Sequence, residues 1–179
     1  MSQRPKSGFT LVEMMVAILI LAVLLVLSAP GLNNLIKNNR MLSHVYSVRA
    51  ALNGARAEAL AQRSTVTLCR SVDGETCASV PGDWNTGFVA FLDDGADSSV
   101  DDPNELMVIS KVIDENLLTM EYSAGDAVRF DSRGYAVPGT QGTFTVCDDR
   151  GADYARGVRV SAGGVVTALD PNDTAFICP

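Results

Sequence analysis

Few residues of this 179-residue chain have types and spacings that could do chemistry, and what they point to is binding rather than bond-making. Glu13 stands out because it is the single charge inside residues 9–29, an otherwise apolar run. A carboxylate in such a run costs about 3 kcal/mol on membrane-insertion scales, so its presence predicts a dedicated partner. The plainer alternative is an interfacial acid whose stem snorkels toward water. Cys69, Cys77, Cys147 and Cys178 form an even set without the short paired spacing of a zinc site. In an exported domain they read as two disulfides of open connectivity. The preferred pairing is 69 with 77, closing a small loop, and 147 with 178, tying down the C-terminal tail. His44 is the only histidine, and no nucleophile is implied beside it. No catalytic residue and no cofactor are therefore expected, and the chain does not read as an enzyme. Asp93, Asp94, Asp97, Asp101, Asp102 and Glu105 could offer oxygen ligands to calcium, but Gly95 falls at the third position of the run, not the sixth. A solvated loop without metal is the expectation.

The elements that must position these residues follow from composition shifts. Residues 1–8 are short and basic through Arg4 and Lys6, and residues 9–29 are long enough to cross about 30 Å of hydrocarbon as a helix. The basic flank predicts a cytoplasmic N-terminus with the bulk of the chain outside. Ordinary signal cleavage after Leu27-Ser28-Ala29 is disfavoured by the large Leu27 and by Pro30 directly after the cut. The apolar segment is thus expected to stay with the mature protein. Pro30-Gly31 predicts a kink or local melting. Beyond it Met41, Val45, Val48, Leu52, Ala55 and Ala59 recur at helical spacing, so residues 30–64 read as an amphipathic continuation of the same helix. Arg49, Arg56 and Arg63 lie seven apart beside that stripe, either a solvated face or a contact for acidic neighbours.

From residue 65 the pattern changes to short β-rich runs at 66–69, 88–92, 107–112, 117–120, 128–130, 143–147, 158–160 and 165–169, separated by Gly, Pro and Asp turns. An antiparallel sheet in residues 65–179 packed on the helix's apolar stripe gives an α+β fold of lollipop shape. Trp84, Phe88 and Phe91 are expected to seal that sheet onto the helix.

The run Gly8-Phe9-Thr10-Leu11-Val12-Glu13, after a basic leader, resembles the class III leader of type IV pilins and type II secretion pseudopilins. The resemblance implies cleavage after Gly8 by a prepilin peptidase, N-methylation of Phe9, and pairing of Glu13 with the Phe9 α-amino group of a neighbouring subunit. Ala55-Arg56-Ala57-Glu58-Ala59, Trp84-Asn85-Thr86-Gly87-Phe88, Phe130-Asp131-Ser132-Arg133-Gly134 and Thr143-Phe144-Thr145-Val146-Cys147 follow in order the pattern of GspH/FimT-like minor pilins, most like the FimU-type subset. That implies a minor pilin that helps prime pilus assembly, with other minor pilins and the major pilin as partners. It also implies an inner-membrane anchor with a periplasmic head before assembly, and a place in the surface pilus after it.

Two other functions stay open: the H-type pseudopilin of a type II secretion system, and DNA binding for natural transformation. FimT-like relatives bind DNA through a C-terminal Gly-Arg-x-Arg motif, and here Gly163-Gly164-Val165-Val166 stands in its place. Arg156 and Arg159 are the nearest phosphate-contact candidates. Formal charge is −7, and loss of Arg4 and Lys6 leaves 12 basic against 21 acidic side chains. Such a balance repels phosphate backbones and disfavours nucleic acid.

Overall fold

The computed structural model describes residues 8–80, 82–95, 99–100, 106–110, 117–173 and 176–178, with residues 26–30 and 106–110 described by backbone alone. One helix, α1 (Leu11–Gln62), precedes eight strands: β1 (Val66–Arg70), β2 (Phe88–Leu92), β3 (Leu106–Ser110), β4 (Thr119–Tyr122), β5 (Ala127–Phe130), β6 (Gly142–Cys147), β7 (Arg156–Val160) and β8 (Val166–Leu169). Short 3-10 turns at Trp84–Thr86 and Ala152–Tyr154 complete the described elements. The fold is α+β, and it divides into two compact units, Met1–Asn39 and Arg40–Pro179.

Helical backbone continues across Pro30 and Gly31, so the local melting expected there does not occur. A proline in mid-helix removes one donor, and the turns on either side keep theirs. The helix ends where Arg63 turns left-handed at φ 56°, a conformation uncommon without glycine.

In the second unit the stripe Met41, Val45, Val48, Leu52, Ala55 and Ala59 is buried throughout and forms one wall of the core. Two antiparallel sheets supply the others, in strand order β3-β2-β1-β5 and β4-β6-β7-β8, where the sequence led us to expect one sheet. The division arises because β5 returns to pair with β1, Val66 opposite Phe130, while β4 pairs with β6, Thr119 opposite Cys147. Strand pairing also moves boundaries. β7 begins at Arg156, two residues before its β-rich run, because Val146 and Thr145 of β6 pair with Arg156 and Gly157. Lys111 and Val112, expected to extend β3, lie outside the described residues.

Period-two alternation then sorts side chains between faces. Val66, Leu68, Phe88, Ala90, Val128 and Phe130 face the main core. Cys69, Val89 and Phe91 point the other way and cluster with Cys77 and Ala127. Phe91 therefore does not seal sheet to helix as expected, because its strand position places it on the opposite face from Phe88. The bond between Cys69 and Cys77 covers that outer face. A second bond, between Cys147 and Cys178, holds the C-terminal segment against the other sheet, where Phe176 packs with Ala155 and Leu169.

Trp84 joins the sheets. Its ring meets Phe144 and Tyr122 edge-on, at centroid distances of 4.9 and 5.8 Å, and its indole N–H donates to the Gly125 carbonyl. Asp83 fixes the turn that delivers it, accepting from the Asn85 backbone N–H at 3.0 Å and from that of Met120 in β4 at 2.7 Å.

Candidate assembly surface

Thr10 starts the helix. Its hydroxyl accepts from the Glu13 backbone N–H at 3.2 Å, and its carbonyl accepts from the Met14 N–H at 3.2 Å. These are the bonds of an N-cap, and Thr-x-x-Glu is the spacing of a capping box, a sequence signal that reading Glu13 as a membrane acid alone passes over. Glu13 is itself exposed.

Every described apolar side chain from Phe9 to Leu25 is also exposed, Phe9 at 79%. They point in all directions around the helix, a pattern that water does not support and that lipid or packed partner helices do. Among the described residues no helix is long and apolar enough to cross a membrane. The described side chains of this run stop at Leu25 and resume at Gly31. Chemically, the segment offers one carboxylate set in an uncovered apolar surface.

The other sequence candidates lie in the second unit. His44 is half-buried, and burial followed by the nearby Arg40 charge pulls its pKa below the usual value. Thr67 donates its hydroxyl to the buried Asp93 carboxylate, and Ser64 donates to Asp94. Asp97, Asp101, Asp102 and Glu105 lie outside the described residues. Among the described residues no group of three His, Cys, Asp or Glu side chains could hold a metal ion.

Arginines 49, 56 and 63 do not share one role. Arg56 leaves the stripe and donates from Nε to the Gly134 carbonyl at 2.9 Å and from Nη2 to that of Gly163 at 3.4 Å. It is a strut between two turns. Gly134 and Gly164 meet there so closely that a Cβ on Gly164, whose φ is +73°, would stand 1.9 Å from the Gly134 carbonyl oxygen. Nor does the structure bring Arg156 and Arg159 together, since they sit on opposite faces of β7. Arg156 lines a cavity of about 250 Å³ with Tyr46, Asp170 and Asp173, and Arg159 is exposed across from Thr143 and Thr167.

The family described as type II transport protein GspH matches residues 45–164, two thirds of the chain. The chain belongs to the GspH family. The prokaryotic N-terminal methylation motif matches residues 3–29 of this GspH-family chain, the stretch that holds Gly8, Phe9 and Glu13. Among solved structures it is similar to the type IV minor pilin FimU of Pseudomonas aeruginosa at 23% identity, over 77% of this chain and 93% of that one, with a TM-score of 0.61. A second crystal form of FimU aligns over 75% and 96% with a TM-score of 0.58. The minor pseudopilin EpsH from the type 2 secretion system of Vibrio cholerae follows at 14% identity, 74% and 98% coverage and a TM-score of 0.52. These likenesses establish the type IV pilin fold. No curated protein matches the chain.

The GspH match runs from the buried half of α1 to the Gly163-Gly164 turn, so the Arg56 strut and the Trp84 hub both fall within it. Inside the same region, Asp73 organises the disulfide-closed loop. Backbone N–H donation from Glu75, then the hydroxyl and N–H of Thr76, hold its carboxyl well below the ordinary carboxylate range against a small opposing effect of burial; Ser71 adds a further bond. Because the folded value lies below the unfolded one of about 3.9, this contribution is complete above that pH and is lost as pH falls through the folded value. Amide resonances of Glu75 and Thr76 should therefore stay constant from neutral pH down to about 3 and move only below it. A transition centred at the ordinary aspartate value would contradict the arrangement.

Proposed function

We propose that this GspH-family chain is a minor pilin that takes part in priming or capping type IV pilus assembly. Prepilin peptidase cuts after Gly8, Phe9 is N-methylated, and residues 9–29 hold the subunit in the inner membrane with the β-rich unit in the periplasm. Extraction into the filament then moves the apolar helix from lipid to packed partner helices of other minor pilins and the major pilin. Both environments keep the large aliphatic side chains from water, worth about 1.5–3 kcal/mol each, so packing between helices and not hydrophobic burial favours the transfer. Glu13 selects the register by meeting the free α-amino group of an adjacent subunit's Phe9, since misalignment would leave either charge buried alone.

One observation carries this reading: the methylation-motif match coincides with an apolar stretch of helix whose described side chains, Phe9 to Leu25, are uncovered and whose single charge is Glu13. Intact-mass and N-terminal fragment analysis of the native protein is the test. The expected species begins at N-methylated Phe9, and a mature chain that retains Met1 or begins after Ala29 would overturn the proposal.

A second reading, the H-type pseudopilin of a type II secretion system, is supported by the family description and by the fold shared with EpsH. Deleting the gene and scoring surface pili, secretion and transformation in parallel separates the two. Loss of secretion with normal piliation favours the pseudopilin. For DNA uptake the divergence of Arg156 and Arg159 removes the paired guanidinium groups that phosphate binding would use.

A further inference from the structure

Arg70 ends β1 as the only charge in Val66–Arg70, and its side chain is 6% exposed. Burying a guanidinium is costly unless its donors are met. Here one contact meets it: Nε donates to Asp126 Oδ1 at 3.4 Å, a long bond to a carboxylate that is itself 34% exposed. No hydrogen bond from Nη1 or Nη2 to a described residue accompanies it, and the guanidinium keeps an edge open to the groove. They lie against Gly82, where a Cβ would come within 3.4 Å of Cζ and Nη1.

The guanidinium lines a groove of about 370 Å³ walled by the loop that the Cys69–Cys77 bond closes. Val72 and Val80, on the rim, are 65% and 71% exposed, large apolar side chains with no core of their own. Asp73 also lines the groove, but its carboxylate already accepts four hydrogen bonds from Ser71, Glu75 and Thr76. The groove thus combines a largely buried cation, whose Nη donors no described residue meets, with apolar contacts at its edge.

We propose that this groove binds an extended acidic peptide segment of a partner protein. One carboxylate takes Nη1 and Nη2 of Arg70 in a bidentate pair, and apolar residues beside it rest on Val72 and Val80. Geometry selects the carboxylate, because a planar two-donor fork fits a planar two-acceptor group. Charge selects a short acidic segment over a nucleic acid, since a formal −7 repels a polyanion at long range while one carboxylate approaching a local cation feels far less. The inference goes beyond the filament reading and does not depend on processing after Gly8 or on Glu13.

The test uses the full chain in detergent micelles with 15N-labelled arginine, following the Arg70 Nε–H resonance, assigned by its loss in Arg70→Lys. Probes are the capped pentapeptide Ala-Val-Glu-Val-Ala, its Gln counterpart, sodium acetate and a DNA oligonucleotide, each taken to about 10 mM or saturation. The Glu peptide should move the resonance with a Kd of about 1 mM, and the Gln peptide should bind at least about tenfold more weakly. On the rim, Val80→Asp should weaken the Glu peptide at least about threefold through like charge, with the remaining spectrum unchanged. Equal binding of Glu and Gln peptides, acetate binding as tightly as the peptide, a shift caused by DNA alone, or no shift at all would each overturn the proposal.

Discussion

Glu13→Gln should be inserted into the membrane like the wild type yet enter filaments at least about tenfold less well. Removing one partner of a buried ion pair costs about 3–5 kcal/mol, because the other charge stays behind unpaired. Glutamine is the informative substitute. Thr10 accepts the backbone N–H of residue 13, and a capping box works with Gln as well as Glu at that position. The helix start therefore survives while the charge is lost. Glu13→Val keeps that backbone bond as well but removes every polar atom of the side chain, so the two variants separate charge from side-chain hydrogen bonding. If Gln assembles normally and Val does not, Glu13 acts through hydrogen bonding and not through its charge, and the register argument fails. Quantifying the tagged variant in sheared filaments against the membrane fraction gives the ratio directly.

In the globular unit the largest effect is expected at Trp84. Trp84→Ala should lower the stability of that unit by about 3–5 kcal/mol, the range for a large aromatic removed from a core that cannot close over the space. At 1% exposure the ring touches Phe144 and Tyr122 of the second sheet from a turn that leads into the first. Its loss opens the seam between sheets. Trp84→Phe keeps much of the ring and gives up the bond to the Gly125 carbonyl, for a cost nearer 1–2 kcal/mol. Because the chain has a single tryptophan, denaturation is followed by circular dichroism, not by fluorescence. A Trp84→Ala cost under about 1 kcal/mol would show that the sheets do not depend on this contact.

Arg56 and Arg70 show how differently charge reads in one dimension and three. In the sequence Arg56 belongs to a seven-residue series, and only the meeting of two distant turns makes it a strut to the carbonyls of Gly134 and Gly163. Arg70 carried a weak signal, a cation closing an apolar run, yet nothing local says whether such a residue faces water or a groove. Arg156 and Arg159 looked adjacent, and the strand's two-residue period sends them to opposite faces.

What the amino-acid sequence determined by itself was the part governed by local patterning. An apolar run with a single acid, a helical stripe from Met41 to Ala59 and a series of short β-rich segments follow from spacing that neighbouring residues impose on one another, and they specify a long helix followed by antiparallel strands. Tertiary structure decided what depends on partners far away in the chain. That β5 returns to β1 and β4 joins β6, making two sheets instead of one, rests on pairing between segments dozens of residues apart. So does the face on which Phe91 lies, whereas the helix that persists through Pro30 does so locally, where turns on both sides outweigh one missing donor. Hydrophobic spacing names the surfaces to be buried, and only their mutual packing in three dimensions selects which surface covers which.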